Sequence, residues 1–339
     1  MFHPKYNLTN KLFSNVATTE RLYGQIEALR LPEKLRLNLK RKNLVESAYY
    51  SNKIEGNPMT LPEVTNLLLD SRVPVNRDEK EVANYFEMLE KLKEYTETPI
   101  TTDFVTDIHG KLFTNVRQKA GEFRNEIVAV GRYTGEGDNV SFKVKHLPPF
   151  HAQSEIKDAL SKLLQWVDHQ QELPIVIKAG VFHHEFVYIH PFEDGNGRVC
   201  RILTALLFLK ANYRINKYFI LDDYYDLDRI QYSDMLHSAD EGDKTKWLEY
   251  FSDGVKYSLQ SALAKVQNAV KTLKIAERPT TKEKVVLNMM TKQPEITSRE
   301  IALALRVSRQ QAHNLLKSLV DKGLAERRGT TKSSYYILK

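Results

Sequence analysis

One stretch of this chain departs from the helical pattern that runs through the rest, and that contrast limits the folds open to it. From Pro32 to Lys53, Leu35, Leu39, Val45 and Ala48 recur at roughly helical spacing, and Leu61 to Leu69 and Glu79 to Tyr95 repeat the pattern. Helical stretches return at Glu155 to His169, Ile175 to Tyr188, Asn196 to Ala211 and Thr245 to Phe251, and a separate helix is expected from Leu263 to a stop before Pro279. The exception is GEFRNEIVAVGRYTGEGDNVSFKVKHLPP, Gly121 to Pro149. There two short apolar or alternating runs, Ile127 to Val130 and Val140 to Val144, flank a cluster of Gly, Asp and Asn, which reads as a hairpin. The expected fold is therefore all-α with one β-hairpin.

Composition removes other classes. With 42% apolar and 27% charged residues over 339 positions, the chain is neither collagenous, nor a coiled coil, nor wholly disordered. No window approaches the roughly 18 consecutive apolar residues of a membrane span, and the start MFHPKYNLTNKLF lacks the charged-then-apolar order of an export signal. A soluble, cytoplasmic chain with no membrane partner is expected. The single cysteine, Cys200, can build neither an internal disulfide nor a cysteine metal cluster, and its place inside a helix suggests core packing.

Charge is unevenly spread. From Pro279 to Lys339 there are seven lysines and five arginines against four glutamates and one aspartate, an excess of seven that equals the net charge of the whole chain. A neutral body with a basic tail assigns any nucleic-acid contact to the tail.

The chemistry concentrates in HPFEDGNGRVCR, His190 to Arg201, between two apolar helices. A loop with Gly195 and Gly197 that opens straight into a helix exposes unpaired backbone N–H groups and the positive end of the helix dipole, which is an anion site. Arg198 and Arg201 share one face of the first turns and add forked donors for phosphate oxygens. Two cations at a helix N-terminus are unfavourable alone, so an anion should sit between them. Asp194 offers the hard oxygen that Mg²⁺ accepts while keeping most of its waters. His190, at the mouth of the loop, is suited to removing a proton from a hydroxyl.

These residues fill every fixed position of HxFx(D/E)GNGRxxR, and the chain thereby resembles the Fic family. EVANYFEML (Glu81 to Leu89), DIHGKLF (Asp107 to Phe113), GEFR (Gly121 to Arg124), RIQYSDML (Arg229 to Leu236) and EGDKTKWLEYF (Glu241 to Phe251) are similar to further landmarks of that family. The resemblance spans about residues 40 to 255 and implies a helical core with the hairpin as a flap over the site. It implies transfer of AMP from ATP to a Ser, Thr or Tyr hydroxyl of a protein, itself included. His190 would be the general base, Asp194 the Mg²⁺ ligand and Phe192 an apolar anchor under the loop. Gly195, Asn196, Gly197 and Arg198 would cradle the phosphates, with Arg201 on the terminal one. Val130 and Gly131 of the flap and Tyr232 near adenine complete the implied nucleotide contacts, although Tyr232-Ser233 stands where the family often has a tyrosine pair.

A second motif, SNKIEGN from Ser51 to Asn57, ends a predicted helix. Gly56 suits a left-handed cap, so Glu55 falls in the last turn, where the dipole disfavours a carboxylate. The segment resembles the family's inhibitory motif (S/T)xxxE(G/N). That resemblance implies that Glu55, with Ser51 beside it, pairs with Arg201 and withholds it from the γ-phosphate.

In the tail, Lys282 to Met290, Ser298 to Leu305 and Ser308 to Lys322 read as three helices, followed by two short strands in LAERR and SSYYIL. That is a winged helix-turn-helix. Arg309, Gln310, Gln311 and His313 would enter a major groove, and Arg327, Arg328 and Lys332 would contact phosphates. The expected organisation is an N-terminal helical region over residues 1–95, a Fic core over 96–262, a linker helix over 263–280 and a winged helix over 281–339. Removal of AMP, transfer of another nucleotide, a DNA-binding regulator that senses nucleotide, and a homodimer all stay open at this point. His183 and His184 read as packing or surface residues.

Overall fold

The computed structural model describes residues 2–29, 31, 33–70, 72–134, 141–276, 279–293, 295–329 and 334–339. The chain divides into a unit of residues 1–265 and a smaller unit of residues 266–339.

The first unit is built around two antiparallel helices, α7 (Ile175–Ile189) and α8 (Asn196–Lys210). Both are apolar on nearly every face, so both must be covered by other helices. Nearly all of α7 is buried, including His183 and His184, and α8 buries Arg198, Cys200 and Arg201 with its leucines. Only a short loop, 190–195, joins them. The cover comes from α1 (Asn10–Ala28), α2 (Glu33–Ile54), α3 (Leu61–Leu69), α4 (Arg77–Lys91), α5 (Thr102–Leu112) and α6 (Gln153–His169). α2 packs on α3, α4 and α8, whereas α6 packs on α5 and α7. Two short helices, α9 (Asp222–Leu227) and α10 (Arg229–His237), follow α8. The hairpin pairs β1 (Val130–Thr134) with β2 (Ser141–His146), antiparallel, from Val130↔His146 to Thr134↔Ser141.

Several expectations need correction. Ile127 to Ala129 lie outside the sheet, because the pairing begins at Val130 and extends to His146. The Gly, Asp and Asn cluster of the hairpin turn, with Val140, lies outside the described residues. Glu79 to Tyr95 is α4 followed by a 3₁₀ turn, Leu92–Tyr95. Thr245 to Phe251 is not a separate short helix. It opens one long helix, α11 (Thr245–Ala276), whose residues as far as Lys265 belong to the first unit. Neither glycine nor proline interrupts the chain between Lys256 and Arg278, so nothing local stops the helix. Two helices escaped the sequence reading. α1 mixes polar and apolar residues, and its buried side includes Asn15, which donates to Ser252 Oγ at 3.0 Å. α5 is short, and Thr101 caps it by accepting from the Phe104 N–H at 3.1 Å.

The second unit has three helices, α12 (Thr281–Lys292), α13 (Ser298–Leu305) and α14 (Arg309–Asp321), and a hairpin of β3 (Ala325–Arg328) and β4 (Tyr335–Leu338). Each helix starts on a capping box: Thr280 with Glu283, Thr297 with Glu300, and Ser308 with Gln311. Ile296 bridges Tyr336 as a short third strand. Val286, Ile301, Leu316, Leu319 and Tyr336 form its own core.

Trp247 locks α11 onto α7. Its ring is fully buried and its indole N–H donates to the Gly180 carbonyl at 2.7 Å. Trp247→Ala should cost about 3–5 kcal/mol, seen as a lower urea midpoint of the first unit at unchanged slope.

Candidate active site

The site begins where α7 ends. His190 is the C-cap of α7 with φ 51°, a left-handed conformation that costs a non-glycine residue about 1 kcal/mol or more. The conformation is held from below by Arg124, whose guanidinium is almost fully buried. Its Nε donates to the His190 carbonyl at 2.7 Å, Nη1 to the Glu126 carbonyl at 2.9 Å and Nη2 to the Phe150 carbonyl at 2.6 Å. The Arg124 N–H donates to the Pro191 carbonyl at 3.0 Å. One side chain thus ties the loop to the segments before and after the two strands of the hairpin.

The His190 ring has a defined tautomer. Nδ1 lies 3.2 Å from the Val187 carbonyl, an acceptor only, so Nδ1 carries the hydrogen and Nε2 keeps its lone pair. Burial, assisted by nearby His146 and Arg124, pulls its pKa down to about 4, against the weaker upward pull of the Val187 carbonyl and Glu55. The ring is neutral at physiological pH.

Beyond His190 the loop turns over an aromatic floor. Phe192 is fully buried and stacks on His109 at 3.9 Å with planes 6° apart. His109 accepts the Gly121 N–H at Nδ1 (2.8 Å), so its Nε2–H donates to the Asp194 carbonyl at 3.1 Å. Burial lowers its pKa to about 4, which keeps this arrangement neutral. Asn196 closes the loop on itself, accepting from the Phe192 N–H at 2.9 Å and donating to the Phe192 carbonyl at 2.8 Å. Gly195 needs its missing side chain twice over: φ is 82°, and a Cβ would run into the Phe113 ring.

The two arginines expected to need an anion each have one. Arg198 Nη1 meets Glu81 Oε2 at 2.6 Å, and Glu81 also takes Arg77 Nε at 2.9 Å. Arg201 Nη2 meets Glu55 Oε1 at 2.8 Å, its Nε donates to Ser51 Oγ at 2.7 Å, and Nη2 also donates to the Ser51 carbonyl at 2.9 Å. Glu55 lies just past the last helical residue of α2 rather than in its final turn, and Gly56 at φ 90° reverses the chain there. The end of α2 is braced from outside. Arg229 donates to the Lys53 carbonyl at 2.8 Å, and Lys53 pairs with Asp226 at 2.6 Å. The Glu55 carboxylate lies over the first turn of α8 so closely that a Cβ on Gly197 would collide with Oε1. Burial works to raise the Glu55 carboxyl, but Arg201 and Arg198 outweigh it and hold it below the ordinary range.

Asp194 faces outward, about a third exposed, paired with Arg117 and within 3.8 Å of Arg198 and 4.0 Å of Arg77. Its Oδ1 accepts the Gly195 N–H at 2.5 Å. A cleft of about 340 Å³ opens beside it, lined by Arg117, Lys119, Phe123 and Glu193 among others. A single hard carboxylate ringed by three guanidiniums does not suit a bare dication. It does suit a Mg²⁺ that arrives with phosphates and takes its remaining ligands from them and from water.

The structure therefore brings His190, Asp194, Gly195, Asn196, Gly197, Arg198, Arg201, Ser51 and Glu55 together. Val130 and Gly131 open β1 at a register shift in the hairpin. Tyr232 is in the packed interior, stacked on Tyr225 at 4.4 Å with its hydroxyl 2.8 Å from His183 Nε2. Cys200 is core, and burial raises its thiol pKa. Sequence reasoning missed the roles of Arg77, Glu81, His109, Arg117 and Arg124. Glu81, His109 and Arg124 lie in segments already noted as landmarks, but nothing in those segments pointed to these residues individually.

In the second unit, Arg309, Gln310 and Gln311 are exposed at the start of α14, and His313 Nδ1 is 3.3 Å from the Tyr336 hydroxyl. Arg327 and Arg328 are exposed on β3, and Lys332 lies outside the described residues.

The first unit is a helical core with a loop-to-helix turn and a β-hairpin, and the second is a winged helix. Residues 99–208 match the Fic/DOC family and residues 279–332 the MarR family, so the chain carries a Fic/DOC domain and a MarR-type winged helix. It is 28% identical over 256 residues to the protein adenylyltransferase Fic of Culex quinquefasciatus, covering 71% of this chain and 46% of that protein. The Drosophila melanogaster protein of the same name is 28% identical over 234 residues, 65% of this chain and 42% of its own length. The chain spans about half the length of these curated relatives. In fold it is similar to a Fic family protein from Desulfovibrio desulfuricans G20 (TM-score 0.67, 23% identity, 100% of this chain and 98% of that one). It is also similar to Fic-1 of C. elegans (TM-score 0.59, 21% identity, 76% and 73%).

The His190 imidazole should titrate near pH 4 and not near its ordinary 6.5. Nitrogen-15 NMR of histidine-labelled protein, with His190→Gln to identify the resonance, checks this. A midpoint above 6 would mean the ring is more solvated than its packing indicates.

Proposed function

We propose that the chain transfers AMP from ATP to a Ser, Thr or Tyr hydroxyl of a protein, itself included, and that Glu55 holds this activity down. The observation that carries the reading is the Glu55 carboxylate, lodged against the first turn of α8 and bonded to Arg201 at 2.8 Å. It is a protein anion sitting in an anion cradle, beside a histidine whose Nε2 is ready to accept a proton.

In this reading the target oxygen attacks the α-phosphorus while its proton passes to His190 Nε2, and the bond from the α-phosphorus to the bridging oxygen breaks to release pyrophosphate. The Val187 carbonyl fixes the tautomer that makes Nε2 the base. The N–H groups of Asn196, Gly197 and Arg198 hold phosphate oxygens with the dipole of α8 behind them. Arg201 takes the terminal phosphate once Glu55 lets it go. Asp194 would hold Mg²⁺, which when bound neutralises charge on the phosphates. The hairpin supports target docking: among the described residues its sheet has two strands, and Val144 exposes apolar surface on β2.

Glu55→Gly should raise self-modification by ATP at saturating Mg²⁺ tenfold or more, about 1.4 kcal/mol or better in the barrier, read as an AMP mass increment by intact-protein mass spectrometry. Arg201→Ala breaks the same pair but should stay inactive, because it removes a phosphate ligand as well. Glu55→Gly with His190→Ala should lose transfer altogether. Equal, low activity in wild type and Glu55→Gly would end the brake, and transfer that survives the loss of His190 would end the mechanism.

For the second unit we infer duplex DNA as the partner, supported by the exposed Arg309, Gln310 and Gln311 at the start of α14 and by the basic excess of this region. Fluorescence anisotropy of the full chain on a labelled duplex, from roughly 50 to 200 mM salt, should show affinity falling by orders of magnitude. Arg328→Ala should flatten the salt slope by about one unit. No binding at the low-salt end would move this domain to a protein-contact role.

A further inference from the structure

At the root of the flap, on the far side of the hairpin from its turn, three side chains from separate elements converge. His146 closes β2, paired with Val130 across the sheet. His237 ends α10, and Asp240 follows three residues later. Asp240 Oδ2 lies 2.8 Å from His146 Nδ1 and 3.1 Å from His237 Nδ1. The two imidazole rings stack at 5.3 Å with planes 20° apart. All three ligand atoms lie within 4.8 Å of one another.

Hydrogen positions make this cluster unusual. His184 is ordinary: its Nδ1 accepts from the Lys244 ammonium at 2.8 Å, so its Nε2–H donates to Asp240 Oδ1 at 3.0 Å. His146 is not. Its Nε2 faces the Tyr188 carbonyl at 2.9 Å, an acceptor only, so the hydrogen of a neutral ring is on Nε2. The Nδ1 lone pair then points at a carboxylate oxygen 2.8 Å away, and His146 is 4% exposed, so water cannot relieve the contact. A positive charge belongs between them. His237 Nδ1 faces the same oxygen, so the position has two nitrogen donors and one carboxylate oxygen around it.

We propose that His146 Nδ1, His237 Nδ1 and Asp240 Oδ2 bind a Zn²⁺ ion, with water as the fourth ligand. Two imidazoles and a carboxylate form the borderline donor set that zinc takes. The surrounding bonds are those that orient such ligands: the Nε2–H of His146 on the Tyr188 carbonyl, and the second oxygen of Asp240 held by His184, itself fixed by Lys244 and through it by Glu185 at 2.9 Å. Bonds of about 2.0–2.1 Å in a tetrahedron set ligand atoms about 3.4 Å apart. Reaching that requires both the His146–Asp240 separation of 2.8 Å and the His237–Asp240 separation of 3.1 Å to widen by a few tenths of an ångström, through rotation of the Asp240 carboxylate and the His237 ring, which are less deeply buried than His146. A bound ion would join the flap root, the end of α10 and, through Tyr188, the last turn of α7 two residues before His190. This inference does not depend on the AMP-transfer reading.

The test uses the untagged full chain, stripped with EDTA, dialysed against Zn²⁺ and analysed for metal by mass spectrometry. Wild type should retain one equivalent, and His146→Gln with His237→Ala should bind at least about tenfold more weakly. Co²⁺ should give the visible bands of a tetrahedral site. His237→Cys should keep the site and add a sulfur-to-cobalt charge-transfer band, a gain that misfolding cannot mimic. Equal zinc uptake by wild type and a double variant with the same thermal melt, or a cobalt spectrum that His237→Cys leaves unchanged, would overturn the proposal and leave a histidine–aspartate ion pair in its place.

Discussion

The positive end of α8 needs an anion, and much of the first unit is arranged to meet that need. The helix starts without a side-chain cap and carries two arginines within its first six residues, buried where water cannot screen them. Glu81 comes from α4 for one arginine, and Glu55 comes from the end of α2 for the other. The two carboxylates differ in what surrounds them. Glu81 is buried between Arg198 and Arg77, whereas Glu55 keeps about a quarter of its side chain exposed and stands over the helix end itself. One is enclosed between two arginines, and the other lies against the first turn of α8 with part of its side chain exposed.

The loop from His190 to Gly195 depends on support that is nearly all buried. Arg124 binds carbonyls from three segments, and His109 is both a ring under Phe192 and a donor to the loop. These contacts keep a left-handed histidine and a positive-φ glycine in place, conformations that a freely moving loop would abandon.

How much of this was legible depended on whether a residue's role is local. The anion loop, the arginine pair and the capping residues act through their sequence neighbours, so spacing revealed them. The Glu55–Arg201 pair spans 146 residues, and the resemblance of SNKIEGN to a known motif, not any local rule, pointed to it. Glu81, Arg117 and Arg124 break no rule in their own segments, and their roles exist only once three or four elements meet. The end of the hairpin run was misplaced because Ile127 is apolar yet exposed, and periodicity cannot separate an apolar loop residue from a strand residue. The long α11 was read as two pieces because the polar run after Phe251 hides a continuous helix.

The last turn of a helix is ordinarily its softest part, fraying at little cost. At the end of α2, Arg229 holds the Lys53 carbonyl and Asp226 holds the Lys53 ammonium, so the turn that carries Glu55 takes its stiffness from α9 and α10. Helices after the signature thus act as a splint on a residue that precedes it by more than a hundred positions. Loosening the splint would change the reach of Glu55 without altering any atom of the cradle it covers.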